Sequence, residues 1–227
     1  MAGKKKVFTV KSVPRGANRG WKVKIDGVPQ EVGKVEIASR FGVLTYGQRP
    51  EGWDGWVFKE TGGGGAVTLP FTRMSDGTVL IGLIPEKRPN MGGEVLCIVG
   101  GFVSPGESHD DAQTRVAENE AGLKTTCATE LPGWPFDCNR LFFVADSAKG
   151  EGLHAYCLEI PEEYVVHGED GFYYDIPDED RGRFGKIANV VLMPIHCAIR
   201  ATPDGIALAA IARLMSYLAE GSGCCHH

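Results

Sequence analysis

The feature of this sequence that most constrains its fold is a glycine-rich loop that runs directly into a capped helix. The loop spans residues 100–107 and follows an apolar run at 95–99 that is typical of a strand. Ser108 is a good helix N-cap with acidic residues in the turn after it, and Gly122 stands where a C′ glycine ends a helix. These signals predict a strand, a loop and a helix from about His109 to Ala121.

The junction between this loop and the helix is suited to an anion. A helix N-terminus directs its free backbone N–H groups toward the preceding loop, and a carbonyl near Gly100 is available to a cation. Arg115, Asn119 and Glu120 fall within about 140° of arc on the helix, at about 100° per residue. They therefore share one side, whereas Glu118 points the other way.

The same residues resemble the Nudix box, a motif of fixed spacing. Its pattern is a glycine, five residues, a glutamate, seven residues, an arginine and a closing glutamate-x-glycine-aliphatic. The matching positions are Gly101, Glu107, Arg115, Ala117, Glu120, Gly122 and Leu123. The resemblance extends to ADP-ribose and nucleotide-sugar pyrophosphatases outside the box. The paired strands of that subgroup are matched by residues 66–84, and its Gln-x-Arg by residues 86–88. Its Ser-Pro-Gly and the strand that follows are matched by residues 131–145. With the C-terminal helix, the resemblance covers about residues 60–220.

The fold that the resemblance implies is α+β, a Nudix α/β/α sandwich with the box helix on one side of mixed sheets and the C-terminal helix on the other. The chain then divides into a small N-terminal antiparallel β subdomain at 1–61, a Nudix domain at 62–220 and a tail at 221–227. The boundary lies at a run of four glycines, 62–65. The subgroup also implies a homodimer in which the N-terminal strands contribute to the partner's site.

The activity that the resemblance implies is metal-dependent pyrophosphohydrolysis of ADP-ribose or a related nucleoside diphosphate conjugate. Mg²⁺ or Mn²⁺ clamps the pyrophosphate oxygens and activates the attacking water. The expected metal ligands are the Gly100 carbonyl, Glu107, Asn119 and Glu120. The expected catalytic residues are Glu120, Arg115 and a base from an acidic loop, with Glu179 preferred to Glu169 because a strand from Ile187 follows it. The expected substrate-binding residues are Arg88, Trp53, Trp56, Gly101 and Phe102.

The substrate-binding candidates and the acidic loops also have structural interpretations. The planar fork of Arg88 matches phosphate oxygens, and the rings of Trp53 and Trp56 can stack on a flat base. Arg88 is equally compatible with a solvated position, and the two tryptophans with anchoring a sheet or a dimer interface. The acidic loops are likewise compatible with solvated turns.

Two positions depart from the box where the family places metal-binding glutamates, because they hold Val116 and Asn119. A valine removes a ligand, and an asparagine offers only a neutral oxygen to Mg²⁺. Losing one preorganised charge stabiliser costs on the order of 3 kcal/mol. The alternative function is therefore a catalytically inactive Nudix-fold module that binds a nucleotide or an ADP-ribose-like ligand. Val116 is also compatible with plain packing, and Glu107 and Arg115 with an ion pair that fixes the loop.

Composition narrows the possible partners. The chain has 24 basic and 29 acidic residues and a net charge of −5, which supplies no basic face for nucleic acid. No apolar stretch reaches the roughly 18 residues of a membrane span, and the N-terminus lacks the apolar core of a signal peptide, so we expect a cytoplasmic protein with no membrane partner. Seven cysteines without a CxxC pair argue against a zinc ribbon or a disulfide scaffold.

The remaining elements follow from turn signals and apolar runs. Glycine makes up 31 of the 227 residues, about twice the usual share of ~7%, which predicts a turn-rich and mostly β chain. Strands are predicted at residues 7–10, 21–25, 56–59, 66–70, 79–84, 94–99, 128–131, 140–145, 154–160 and 187–193. A second helix is predicted over about residues 203–219, with Thr202 as its N-cap and Pro203 in its first position.

Overall fold

The structure is a computed structural model. It describes residues 8–12, 21–25, 28–30, 35–39, 42–48, 54–60, 64–124, 128–131, 140–141, 152–175 and 189–221. Before residue 64 the described strands form two antiparallel sheets of three strands each. One sheet contains β1 (Phe8–Ser12), β2 (Trp21–Ile25) and β3 (Val28–Gln30), and the other contains β4 (Val35–Ser39), β5 (Gly42–Gln48) and β6 (Asp54–Glu60). The predicted strands at 7–10, 21–25 and 56–59 are confirmed, whereas β3, β4 and β5 were not predicted.

A ten-stranded mixed sheet forms the rest of the fold. Its strands are β7 (Gly64–Arg73), β8 (Val79–Arg88), β9 (Gly93–Cys97), β10 (Val99–Phe102), β11 (Thr129–Glu130), β12 (Arg140–Leu141), β13 (Gly152–Glu159), β14 (Val165–Gly168), β15 (Gly171–Tyr174) and β16 (Val191–Pro194). The main order is β11-β13-β7-β8-β16-β15-β14, and β10, β9 and β12 pair with β7, β8 and β13. β13 runs parallel to β7, while the other pairs are antiparallel.

Three helices complete the described part of the chain: α1 (His109–Ala121), α2 (Ile195–Ala201) and α3 (Gly205–Gly221). Side chains alternate between the two faces of a strand, and the buried residues accordingly separate into two main clusters. Ile81 and Leu83 of β8 pack in the cluster that contains α3 residues, whereas Leu80 and Ile84 pack in the cluster that contains α1 residues. The mixed sheet therefore lies between α1 and α3, which confirms the α+β prediction.

The predicted box helix is confirmed at both ends. The Ser108 hydroxyl accepts a hydrogen bond from the Asp111 backbone N–H at 3.1 Å, which caps the first turn. Gly122 adopts the left-handed conformation at φ 61° and closes the helix with bonds to the Ala117 and Glu118 carbonyls. Local capping signals were sufficient here because both caps lie in the sequence immediately beside the helix.

The predicted C-terminal helix was wrong at its start. Thr202 ends α2 rather than beginning α3, and its hydroxyl donates to the Leu96 carbonyl at 2.7 Å. The carboxylate of Asp204 instead accepts from the Ile206 N–H at 2.9 Å, so α3 begins at Gly205. Threonine and aspartate are both good capping residues, and only the contact between Thr202 and the sheet decides between them. The seven-residue helix α2 was not predicted.

The predicted strand at 94–99 is two strands, β9 and β10. They separate at Ile98 because β9 pairs with β8, whereas β10 pairs with β7. The glycine run at 62–65 also enters the sheet, since Gly64 and Gly65 begin β7. Gly64 has φ +122°, and a side-chain carbon there would lie 1.8 Å from the Gly152 carbonyl oxygen of β13. Glycine at this position permits the close parallel pairing of β7 and β13.

Two remaining observations concern the helices and the cysteines. In the part of the chain that the structure describes, no helix combines the length and the apolarity needed to cross a bilayer. Cys97 and Cys157 are free and each is 2% exposed. They are small core residues.

Candidate functional site

The loop before α1 is fixed to the helix by Glu107 and Arg115. Arg115 donates from Nε to Glu107 Oε1 at 2.6 Å and from Nη2 to Glu107 Oε2 at 2.8 Å. It also donates to the Phe102 carbonyl at 2.9 Å, and the Ser104 backbone N–H donates to Glu107 Oε2 at 2.8 Å. The hydrogen bonds from Arg115 and Ser104 lower the pKa of Glu107 to about 2. This end of the box is a charged clamp with its polar atoms paired.

The structure therefore brings Glu107 and Arg115 together as the ion pair considered in the sequence analysis. Both Glu107 oxygens already accept hydrogen bonds, and the side chain is 15% exposed. A metal bound to Glu107 would have to compete with a bidentate guanidinium. The metal role of Glu107 and the catalytic role of Arg115 stay predictions, whereas their structural role is visible in the geometry.

Glu120, at the other end of α1, is in a different environment. Its side chain is partly buried, and its Oε2 atom is buried without a hydrogen-bond partner. Burial raises the pKa of Glu120, and the nearby charge of Glu86 raises it further, while Arg115 and Arg88 act in the opposite direction. A carboxylate that is desolvated and unpaired in this way is a candidate for a functional role.

The neighbour Glu86 lies on β8, and the sequence analysis did not identify it as a site residue. It follows Ile84 by two residues on the strand and so lies on the face that packs toward α1. Glu86 forms an ion pair with Arg88 on the same strand. The alternation along β8 could have placed Glu86 and Arg88 on one face, but nothing local in the sequence indicates that Glu120 lies nearby.

The two departures from the box have different positions in the structure. Val116 is 3% exposed and packs against the backbone of Gly101, where an added side-chain carbon would lie 2.9 Å from the valine Cγ2. Asn119 is exposed on the helix. Val116 therefore has a packing role, whereas the side chain of Asn119 faces solvent. Among the described residues, no group of three His, Cys, Asp or Glu side chains has the arrangement of a metal centre.

A smaller set of oxygen donors nevertheless fits a hard cation. Glu120 offers a buried oxygen without a hydrogen-bond partner, and Glu86 places a second carboxylate close enough to raise the pKa of Glu120. Carboxylate oxygens are the ligands that Mg²⁺ prefers, and Mg²⁺ commonly keeps several waters beside one or two of them. The donor chemistry at Glu120 and Glu86 is thus compatible with Mg²⁺ or Mn²⁺.

A cavity of about 240 Å³ lies beside the glycine-rich loop, and we call it the loop cavity. Four of the predicted site residues line it: Arg88, Gly100, Gly101 and Phe102. Phe102 is 47% exposed, so an aromatic side chain is accessible there. The walls combine backbone, apolar side chains, an aromatic residue, the Arg88 guanidinium and the Asp204 carboxylate. This combination suits a ligand with a phosphate group and a flat or apolar part.

Glu169, another predicted site residue, does not line the loop cavity. Glu169 is exposed in the turn that joins β14 to β15, and both strands lie at the edge of the sheet beyond β16. Trp56 lies in β6 opposite Tyr46. Trp53 and Glu179 lie outside the described residues. Their predicted roles in stacking and as a base are untested.

Comparisons with known proteins give matches only among solved structures. No protein-family model matches the sequence, and no curated protein is significantly similar to it. A Caenorhabditis elegans Ap4A hydrolase has 16% identity and a TM-score of 0.44, with 68% of this chain and 97% of that chain covered. A structure described as an ADP compounds hydrolase has 14% identity and a TM-score of 0.42, with 98% of both chains covered. A mutT/nudix family protein from Listeria innocua has 18% identity and a TM-score of 0.44, with 70% and 95% covered.

Proposed function

We propose that the chain is a Nudix-type pyrophosphohydrolase that cleaves the phosphoanhydride of ADP-ribose or a related nucleoside diphosphate conjugate. The observation that carries this proposal is the environment of Glu120. Its buried, unpartnered carboxylate oxygen lies near Glu86 and Arg88, and Arg88 also lines the loop cavity together with the loop that precedes the box helix. The protein carries the cost of a desolvated carboxylate there, which a purely structural helix does not require.

Each part of the site has a separate task in this reaction. Arg88 binds a phosphate of the substrate through its planar fork, and Gly100 and Gly101 line the cavity beside it. Glu120 and Glu86 would hold the divalent cation, together with the Gly100 carbonyl. When bound, such a cation polarises the phosphoanhydride and lowers the pKa of an attacking water. The clamp between Glu107 and Arg115 keeps the loop in register with the helix.

The finer parts of the proposal come from the resemblance to ADP-ribose pyrophosphatases. They are the choice of ADP-ribose, the use of Glu179 or Glu169 as general base, and a homodimer whose N-terminal strands, with Trp53 and Trp56, contact the substrate in the partner's site. A base near the attacking water must have a pKa that suits proton transfer at the working pH. An exposed residue such as Glu169 would acquire that property only when the substrate or a partner subunit covers it.

The second candidate function is a binding module without hydrolysis, and the burial of Val116 favours it. The first box carboxylate is replaced by a residue of the core, and the second by the exposed Asn119. Losing two charge stabilisers lowers a rate by about 10³- to 10⁵-fold, at about 1.4 kcal/mol per factor of ten. The loop cavity and Arg88 would still bind a nucleotide in such a protein.

One experiment separates the two functions. The purified chain is incubated with ADP-ribose and millimolar Mg²⁺ or Mn²⁺, AMP release is followed, and binding is measured in parallel by calorimetry. The hydrolase predicts AMP that disappears when the metal is chelated. Binding without any AMP at either metal would establish the binding module, and the absence of both would contradict the two functions together.

A further inference from the structure

A second cavity adjoins the loop cavity and lies outside the box. It has a volume of about 310 Å³ and is formed by the 3₁₀ turn Pro89–Met91, strand β9 and the beginning of α3. We call it the helix cavity. Arg88, Asp204 and Ile206 line both cavities, so the two spaces meet at these side chains. Its volume is at the lower end of the range of about 300–1,000 Å³ for small-molecule pockets.

Asp204 presents a fixed carboxylate at this meeting point. Its Oδ1 accepts from the Ile206 N–H at 2.9 Å and its Oδ2 accepts from the Ile98 N–H at 3.2 Å. Its own backbone N–H donates to the Thr202 hydroxyl at 3.0 Å, and that hydroxyl is held by the sheet. Each carboxylate oxygen can accept a second hydrogen bond, and an ionised carboxylate has no donor to offer. Asp204 is therefore a preorganised acceptor for hydroxyl groups of a ligand.

Arg88 provides the opposite chemistry at the same junction. Its side chain is 51% exposed and is oriented by the ion pair with Glu86. Arg88 also forms a hydrogen bond with Cys97. A guanidinium has five N–H donors, so donors remain for phosphate oxygens after these two interactions. A cationic fork beside a fixed acceptor fits a phosphate group that is attached to a hydroxyl-bearing ring.

The walls of the helix cavity beyond the junction are mostly apolar. They include Met91, Val95, Cys97 and Pro203, and Met91 is 53% exposed at the rim. A sugar ring presents C–H groups on its faces and hydroxyls at its edge, so it matches apolar walls with one carboxylate acceptor. A second phosphate or another anion would instead be repelled by the negative charge of Asp204. Arg88 is the one cation among the described residues that line the helix cavity.

We propose that the helix cavity is the subsite for the sugar moiety attached to the nucleoside diphosphate, and that Asp204 selects this moiety by accepting hydrogen bonds from its hydroxyls. The nucleoside diphosphate then occupies the loop cavity, with a phosphate at Arg88. This inference rests on the proposed function, but it adds a specificity residue and a subsite outside the box.

The test compares ADP-ribose with ADP, because only the first carries the additional sugar. Binding of each nucleotide is measured by calorimetry in EDTA, where no metal-dependent cleavage occurs. The intact chain is expected to bind ADP-ribose at least about tenfold more tightly than ADP, which corresponds to about 1.4 kcal/mol. Val95→Trp fills the helix cavity and should abolish this preference while the affinity for ADP changes less than about twofold.

Two further variants keep the test independent of the folding of Val95→Trp. Met91→Ala changes an exposed side chain and should weaken ADP-ribose about threefold without affecting ADP. Asp204→Asn retains an oxygen that can cap α3 and should weaken the binding of ADP-ribose about tenfold more than the binding of ADP. Val166→Trp on β14 is the matched control for size, because β14 is the edge strand beyond β16 and β15. It should leave the preference unchanged.

The outcomes distinguish this inference from the proposed function. Two results overturn the helix cavity as a sugar subsite, even when AMP is released with Mg²⁺. One is equal affinity of the intact chain for ADP-ribose and ADP. The other is a preference for ADP-ribose over ADP that survives in both Val95→Trp and Asp204→Asn. No binding of either nucleotide together with no release of AMP contradicts the proposed function itself, and the inference is lost with it.

Discussion

The box carries glutamates with opposite surroundings at its two ends. At the N-terminal end, Glu107 receives hydrogen bonds from Arg115 and from the Ser104 backbone, and its pKa falls to about 2. Toward the C-terminal end, Glu120 is partly buried, has an unpartnered oxygen, and has a raised pKa. The Glu107 carboxylate stabilises the fold, whereas burial disfavours the charged form of Glu120.

This difference shows that box residues need not share one role. A satisfied ion pair fixes the loop against the helix and needs no ligand to complete it. A desolvated carboxylate beside another acid is completed only by a proton or a cation. We therefore assign structure to the Glu107 end and chemistry to the Glu120 end, and the following variants test that division.

The largest expected effect is on hydrolysis. Glu120→Gln should lower the rate of AMP release from ADP-ribose with Mg²⁺ by about 10²- to 10³-fold, because it removes a charged group from the metal environment. Glu118→Gln is the matched control, since it makes the same change on the same helix but lies on another side. Equal rates in the two variants would contradict a special role for Glu120.

The second effect concerns the free energy of unfolding when a glutamate is restored at position 116, where the box pattern has one. Val116→Glu should lower the free energy of unfolding by about 3 kcal/mol, because it places a carboxylate among core side chains beside Gly101. Asn119→Glu is exposed and should change it by less than about 0.5 kcal/mol. Urea denaturation of the two variants measures both values. An unchanged free energy of unfolding in Val116→Glu would contradict this expectation, because it would mean that a side chain at position 116 can reach a cation.

The third effect is the pH dependence of the clamp. Glu107→Gln should cost about 1–3 kcal/mol at neutral pH, because charged hydrogen bonds to Arg115 are lost. A folded-state pKa below the unfolded value contributes stability above the unfolded pKa, and that contribution is lost as pH falls through the folded pKa. The difference between the intact chain and the variant should therefore shrink from about pH 4.5 toward about pH 2 in denaturation curves. A difference in the free energy of unfolding that does not change with pH would indicate that the variant loses packing contacts rather than charge interactions.

The smallest effect has the opposite sign. Glu120→Gln should raise the free energy of unfolding at neutral pH by up to about 1 kcal/mol, because it removes a desolvated negative charge near Glu86. A raised carboxyl pKa means that the folded state is favoured by protonation, so this gain should disappear as pH falls through the raised pKa. The two glutamine variants then respond oppositely at neutral pH. Destabilisation by Glu120→Gln would show that its carboxylate has an unrecognised partner.

Local signals in the sequence were sufficient for α1 and insufficient for the beginning of α3. Ser108 and Gly122 fix α1 because each acts within its own turn. Thr202 and Asp204 compete as caps for the next helix, and a tertiary contact of Thr202 with Leu96 decides the outcome. The strand at 94–99 was likewise divided by pairing partners that only the folded sheet defines.

The candidate site shows the same limit. The spacing of the box identified Glu120 and the loop glycines, and the resemblance of residues 86–88 to a Gln-x-Arg suggested Arg88. Glu86 was missed because its proximity to Glu120 arises from the packing of α1 on the sheet, which no spacing along the sequence predicts. The same holds for Asp204, which follows Arg88 in the chain by more than a hundred residues yet lines the same two cavities.

The most direct test of the account is a titration with Mn²⁺ in the absence of substrate, followed by electron paramagnetic resonance. The account predicts that the intact chain and Glu118→Gln bind Mn²⁺ with equal affinity, and that Glu120→Gln and Glu86→Gln each bind it at least about tenfold more weakly. Unchanged Mn²⁺ affinity in Glu120→Gln and Glu86→Gln, with a loss in Glu107→Gln instead, would contradict the assignment of chemistry to the Glu120 end of the helix.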